Sequence, residues 1–331
     1  MVSAFIVGVT GQDGTYLAEL LIARGYRIVG LTRDVTRAVA HLPSSVARHI
    51  VLEEWDLVDP ARITDLFRVY VPAEAYNFAS RSSGESMFED PVHVGLTSGI
   101  AVTSVLEAIR NSGSTARLCQ ASSSEMFGNT STSPQSEQTE FRPRSPYGAA
   151  KLYAHSMIDV YRRIYGLYAC SAILFNHESP RRRPEFVTRK VSLAAARLKL
   201  GLPGALQLGN LDSRRDWGYA GDYVQAMWSM LQQPEPGDYV IASGVTHTVR
   251  ELCEVAFAHV GLDYRDHLSG GVNSSRPEET VELVGDARKA RAMLGWQPQT
   301  GFRELVRMMV DADLDLLRGQ VDSLRPSPGK R

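Results

Sequence analysis

Residues 4–21 read AFIVGVTGQDGTYLAELL: an apolar run, glycines at every third position, then an amphipathic stretch. Residues 4–9 have the length and β-branched content of a buried strand, and 16–24 carry apolar residues at helical intervals. Gly8, Gly11 and Gly14 mark the junction. Glycines there permit a tight turn and let a pyrophosphate approach the N-terminus of the helix, as at the first turn of a dinucleotide-binding βαβ unit. The spacing is GxxGxxG, not GxGxxG, and a purely structural turn is the competing reading. Its place at the first strand-to-helix turn favours the nucleotide.

Working outward, apolar runs at 26–31, 50–57, 75–79, 117–121 and 169–175 read as further buried strands. Segments 100–110 and 149–165 between them have helical spacing. Such alternation predicts an α/β fold, a doubly wound parallel Rossmann-type sheet of about seven strands with helices on both faces. The rhythm breaks after Asn176. Pro180, the basic run 181–183 and Pro184 make a loop whose guanidiniums suit a phosphate-lined cleft. Helices are expected at 187–200, 221–232, 249–260 and 302–317, a strand at 238–242 and a Gly/Ser-rich loop at 269–275. The expected organisation is a nucleotide-binding domain over 1–175, rejoined by 218–245. A smaller C-terminal α/β substrate-binding lobe covers 176–217 and 246–317, and 318–331 form a disordered tail.

The net charge of -1, from 36 basic and 37 acidic residues, gives no global attraction to nucleic acid or an anionic membrane. Cys119, Cys170 and Cys253 are odd in number and lack CxxC spacing, which argues against disulfides and a zinc site. Buried free thiols in a reducing cytoplasm are the expectation. No apolar run approaches ~20 residues, so no membrane span is expected.

Chemistry concentrates between residues 122 and 151. Ser122, Ser123, Ser124 and Glu125 follow one apolar run, and Tyr147 and Lys151 follow further on. A tyrosine and a lysine four apart share a helix face, so the ammonium can stabilise the phenolate and make Tyr147 a base near neutral pH. Glu125 adds a second acid/base group, needed for elimination but not for simple alcohol oxidation. Arg33, just past the second strand, favours the 2'-phosphate of NADP, although Asp34 beside it pulls toward NAD. Asp56 and Leu57 sit where adenine contacts are made, with loop capping as the alternative. Trp217 and Trp228 read as packing residues.

With these motifs in hand, the chain resembles the extended short-chain dehydrogenases/reductases, and among them the GDP-mannose 4,6-dehydratase family. The likeness is dense at 8–19, 120–128, 144–154, 174–190, 208–217 and 238–251, and FNHESPRR at 175–182 with GNLDSRRDWG at 209–218 is its most specific part. The resemblance implies that Gly8, Thr10, Gly11, Gln12, Asp13, Gly14, Arg33, Asp56, Leu57, Phe78, Ala79, Ser80 and Ser82 line an NADP cofactor. Lys151, His177 and Arg182 would complete that cradle, and Ser83, Asn176, Lys190, Arg215, Arg276 and Glu279 would face the nucleotide sugar. It further implies that Tyr147 takes the sugar O4 proton while Ser123 polarises the oxygen and Lys151 holds the phenolate. Glu125 would then remove the C5 proton and protonate the departing C6 hydroxyl. The family also implies a homodimer built on two helices per subunit, here 100–110 and 149–165, and in some cases a homotetramer.

The chain departs from the family at Ser123, where threonine is usual, at Arg81-Ser82-Ser83 in place of Gln-Ser-His, and at His93 in place of a tyrosine. The segment after Arg33, which reaches a neighbouring subunit's cofactor in the family, is here a different run at 34–41. The expected activity is dehydration of GDP-mannose. Alternatives are the same reaction on another nucleotide sugar such as a GDP-heptose, a 4-epimerase or 4-keto reductase that does without Glu125, and a non-catalytic NADP-binding protein.

Overall fold

The computed structural model describes residues 1–80, 86–269 and 282–324. Its strands are β1 (Ser3–Val7), β2 (Arg27–Thr32), β3 (Ile50–Glu54), β4 (Glu74–Asn77), β5 (Arg117–Ala121), β6 (Ala169–Leu174), β7 (Asn176–Glu178), β8 (Arg214–Tyr219), β9 (Tyr239–Ile241) and β10 (Thr246–Thr248). The longer helices are α1 (Gln12–Ala23), α2 (Val35–His41), α3 (Pro60–Tyr70), α4 (Ala101–Ser112), α5 (Pro146–Tyr165), α6 (Val187–Lys199), α7 (Ala220–Leu231), α8 (Val249–His259) and α9 (Phe302–Leu324).

Seven strands form one sheet in the order β3-β2-β1-β4-β5-β6-β9, every pairing parallel. Parallel strands need crossover connections, and the helices that supply them bury both sheet faces, which is why β1 and β6 read as continuous apolar runs. On one face Leu17, Leu21, Val224 and Met227 of α1 and α7 pack over Ala4, Ile6 and Ile28. On the other, Phe67, Val105, Ile109 and Ile158 of α3, α4 and α5 cover Phe5, Val7 and Leu118. Each of the larger side chains among them, from Val to Phe, contributes about 1.5–3 kcal/mol of burial. The strand order reverses between β1 and β4, so the crevice for a ligand opens beyond the carboxyl ends of these strands.

The C-terminal half builds a small sheet, β10-β8-β7. Its core joins Val191 and Ala195 of α6, Leu252 and Phe257 of α8, and Val306 and Val310 of α9. The sequence did not reveal β7, β8 or β10. The strand at 50–57 ends at Glu54, and the helix at 16–24 begins at Gln12, inside the glycine loop. The last helix runs to Leu324, seven residues past the expected end at 317, so the disordered tail does not begin at 318.

Residues Pro91–Ser112 form 22 continuous helical residues that contain an 18-residue window of mean hydropathy 1.5, long and apolar enough by composition alone to cross a membrane, and more than half of that window is buried in the fold. Its central turn, Leu96–Ile100, is a π-helix. Cys119, Cys170 and Cys253 are buried and free, as expected. Cys119 and Cys170, distant in sequence, are register partners on β5 and β6.

Candidate active site

The glycine loop leaves β1 at Gly8, whose φ of +83° favours glycine. A Cβ on Gly14 would stand 2.3 Å from the Gly8 carbonyl oxygen and 2.8 Å from Val9 Cα, so only glycine lets α1 start this close to the strand. The N-cap is Gly11, with no side chain to cap the first turn. The first turn's amides are thus left without a side-chain cap, and the residues present fit a dinucleotide pyrophosphate. Phe78 and Ala79 pass within 3.1–3.4 Å of where a Gly8 Cβ would be, forming the opposite lip. Thr10 is exposed at the loop tip.

Arg33 is exposed past the end of β2. The neighbouring Asp34 carboxylate caps α2, accepting from the Arg37 amide at 2.8 Å, so the segment at 34–41 folds back as a short helix. Asp56 accepts from the Val58 amide at 3.2 Å, an ordinary loop turn, while Leu57 packs on the core.

Helix α5 carries the reactive pair. Ser145 caps it, accepting from the Gly148 amide at 3.0 Å, and Pro146 occupies its first turn. Gly148 is required here, because a Cβ would stand 2.5 Å from the Glu125 carbonyl oxygen. That contact brings the start of α5 against the turn Ser124–Met126, where Ser123 accepts from the Glu125 amide at 3.2 Å. Tyr147, Lys151, Ser123 and Glu125 thus meet at the carboxyl end of β5. Lys151 is buried, and its ammonium donates to the Ala121 carbonyl at 2.7 Å while lying 5.6 Å from the Tyr147 ring centre.

The electrostatics differ from the expectation for the Tyr-Lys pair. Burial pushes Tyr147 up to about 12, with Glu125 adding to the rise; the Ser80 and Ser123 hydroxyls and Arg182 act against it. Burial also pushes Lys151 down to about 8, opposed by the charge of Asp13. The spacing was legible, but the low-dielectric setting outweighs the charge pairing.

Behind Tyr147, Ser80 Oγ and Ser98 Oγ lie 2.9 Å apart, with Ser98 carried by the π-turn. Val94, beside His93, packs on Tyr147 and Ala150. Across the site, His177 Nε2 stands 3.0 Å from Asp13 Oδ2. The basic run divides its labour, against expectation. Arg181 forms a two-bond pair with Glu19 (2.7 and 2.9 Å) and stacks on Tyr16, so it pins the fold. Arg182 is held 3.0 Å from the buried Glu178 and stacks on Phe186. Arg183 is exposed.

Asn176 lies on β7 opposite Trp217 of β8, and Arg215 lies on β8 opposite His247. Lys190 is exposed on α6. Ser82, Ser83, Arg276 and Glu279 lie outside the described residues. Trp217 and Trp228 are packing residues, against Phe302 and Arg24.

Three positioning residues escaped the sequence. Glu178 had a readable signal, its i,i+4 spacing to Arg182. Ser98 had none. Asp216, buried in β8, accepts from the Ser243 amide (2.9 Å) and hydroxyl (2.6 Å) and from the Gly244 (2.9 Å) and Gly285 (3.1 Å) amides, tying the small sheet to the end of β9. Burial raises its pKa, and those four bonds oppose the rise.

A family model described as GDP-mannose 4,6 dehydratase matches residues 5–309. The chain is 46% identical to GDP-mannose 4,6 dehydratase 1 of Arabidopsis thaliana over 327 residues, covering 95% of this chain and 90% of the relative. It is 41% identical to the Homo sapiens GDP-mannose 4,6 dehydratase over 342 residues, covering 95% and 92%. In fold it is similar to RMD from Pseudomonas aeruginosa, solved with NADPH, at a TM-score of 0.80 and 22% identity over 96% of this chain and all of the other. The match along nearly the whole chain agrees with the clustered Ser123, Glu125, Tyr147 and Lys151: the chain belongs to the GDP-mannose 4,6-dehydratase family.

Proposed function

We propose that this chain converts GDP-mannose to GDP-4-keto-6-deoxymannose and water, using NADP. The observation that carries the reading is Glu125, held on a tight turn beside Ser123 and packed by its backbone against the helix of Tyr147 and Lys151. Oxidation at C4 needs the tyrosine and lysine; loss of the C6 hydroxyl needs the third acid/base group. The full-length likeness to plant and human relatives of that name supports the sugar and base.

A bound NADP+ would supply a positively charged nicotinamide ring able to hold the sugar's hydride between its loss from C4 and its return to C6, so the net redox change would be zero. Tyr147, near 12, is a phenol at neutral pH, and it takes the O4 proton only where cations favour its anion; Lys151 and Arg182 are the protein's contribution. Ser123 orients O4. The C4 ketone acidifies C5, Glu125 takes that proton and delivers one to the departing C6 oxygen, and Tyr147 returns the O4 proton to C5 as C6 is reduced, so both residues end the cycle as they began it.

Arg33 supports NADP over NAD, since Asp34 is engaged as a helix cap, and the Pseudomonas fold neighbour carries NADPH. The dinucleotide lies along the glycine loop and the lip at Phe78, Ala79 and Ser80, with His177 and Arg182 closing it. The diphosphate and sugar lie toward Asn176, Lys190 and Arg215, with Ser83, Arg276 and Glu279 assigned by resemblance. The chain divides between these parts into a cofactor domain and a substrate lobe. Val92, Leu96, Ile100 and Tyr153 form an exposed apolar stripe along the 91–112 helix and α5 that supports a homodimer built on these helices. Three buried free thiols suit the cytoplasm. The test is 4-keto product formation from a panel of GDP-, UDP- and dTDP-sugars with catalytic NADP+. Turnover of GDP-mannose is expected; turnover of other sugars with none of GDP-mannose would overturn the choice.

A further inference from the structure

The first turn of α1 and strand β7 meet along a hydrogen-bonded seam. Gln12 Nε2 donates to the His177 carbonyl (3.1 Å) and to Asp13 Oδ1 (3.1 Å), and Ser179 Oγ donates to Gln12 Oε1 (2.7 Å). His177 completes the seam with both ring nitrogens. Nδ1 lies 2.7 Å from the Phe175 carbonyl oxygen and Nε2 lies 3.0 Å from Asp13 Oδ2. A carbonyl oxygen only accepts, so Nδ1 carries a hydrogen. A neutral ring would then turn a bare Nε2 toward the carboxylate. Both bonds are made together by an imidazolium facing an ionised Asp13.

The charges around the Asp13–His177 pair come from several elements. Asp13 and Gln12 come from α1, Arg182 from the loop after β7, Lys151 from α5, Tyr223 of α7 stacks at 4.9 Å, and Glu178 lies on the ring's own strand. Burial works against the charged ring, but the charge and hydrogen bond of Asp13 together with the Phe175 carbonyl bond outweigh burial and the opposing Arg182, and the pKa of His177 is raised. Burial raises Asp13 too, but the His177 charge and hydrogen bond, the Gln12 hydrogen bond and the Arg182 charge together reverse it, and the Asp13 pKa is lowered.

We propose that His177 is a positioning residue held as an imidazolium, and that loss of its proton opens the seam and weakens binding of the nucleotide cofactor. The proposal rests on the cofactor reading above. With the ring charged, Asp13 is neutralised and the first turn of α1 attracts phosphate. With the ring neutral, the Asp13 carboxylate keeps only its Gln12 hydrogen bond and loses its facing cation in the turn that must receive the phosphates, and the seam between β7 and the glycine loop is reduced to its Gln12 bonds.

The test uses the full chain labelled with 15N-histidine, and NADP+ titrations from pH 7.5 to 9.5. At pH 7.5 without cofactor, the His177 ring, assigned by its absence in H177Q, should show both nitrogens protonated. NADP+ affinity should fall by up to tenfold per pH unit above the ring's titration midpoint. H177Q, whose amide is neutral and has no titrating proton, should lose that component and keep only the one from Lys151, which titrates near 8. D13N should move the ring's midpoint down, and it stands as the second variant if H177Q does not fold. A neutral ring at pH 7.5 with tight NADP+ binding, or a wild-type slope in H177Q, would overturn the proposal alone. An imidazolium in a chain that binds no NADP+ at any pH would instead overturn the cofactor reading beneath it.

Discussion

Lys151→Met should make the protein more resistant to alkaline-to-neutral pH change while destroying its activity. The lysine is 1% exposed and burial brings it from an ordinary 10.5 to about 8. Between those values the unfolded chain holds the proton and the folded chain does not, so this group adds stability as pH rises through the window, and its full penalty applies below pH 8. At 1.36 kcal/mol per unit, wild-type stability gains about 2–3 kcal/mol between pH 7 and 10 from this residue. Methionine fills similar volume and carries no charge. It removes one bond to the Ala121 carbonyl, which still accepts from the Gln120 side-chain amide at 2.8 Å, costing about 0.5–1.5 kcal/mol at every pH. The informative quantity is therefore the wild-type minus variant difference, which cancels other titrations. Urea unfolding of both chains at pH 7, 8, 9 and 10 should show that difference shifting by about 2–3 kcal/mol in favour of wild type as pH rises. A difference that stays flat, or moves the other way, would refute the reasoning that the lysine is strained by burial.

Glu125→Gln should slow water loss by at least ~10²-fold while C4 oxidation continues, so absorbance at 340 nm accumulates on adding GDP-mannose; unchanged product formation would remove Glu125 from the chemistry. Gly14→Ala places a Cβ 2.3 Å from the Gly8 carbonyl oxygen, and is expected to cost about 1–3 kcal/mol of stability and most NADP+ affinity; a wild-type titration curve would contradict the close approach. Asp216→Asn keeps one acceptor oxygen where two receive four bonds. It should cost about 1–3 kcal/mol and raise KM for the sugar nucleotide more than it lowers kcat; the reverse split would place Asp216 in the chemistry.

The large sheet was legible because strands buried on both faces read as uninterrupted apolar runs, and the glycine loop because Gly8 and Gly14 answer backbone demands that no other residue meets. Strands β7, β8 and β10 were not legible. They are short or polar, as in Arg214, Arg215 and Asp216 of β8, and their pairing is dictated by partners in the folded lobe. Helix spacing placed Tyr147 and Lys151 on one face, yet it could not tell that the ammonium turns to the Ala121 carbonyl or that burial moves the two pKa values apart. Asp13 and His177 are 164 residues apart, so their pairing exists only once β7 docks on α1. The basic run 181–183 shows the same limit: composition suggested three phosphate ligands, and Glu19 and Tyr16 claim the first of them.

The most direct test of the central claim uses GDP-mannose carrying deuterium at C4 of the mannose. With catalytic NADP+ the account expects the 4-keto-6-deoxy product to retain that deuterium at C6, read by mass spectrometry and NMR, with no net NADPH. A product without deuterium at C6, or a C4 epimer formed without loss of water, would contradict it.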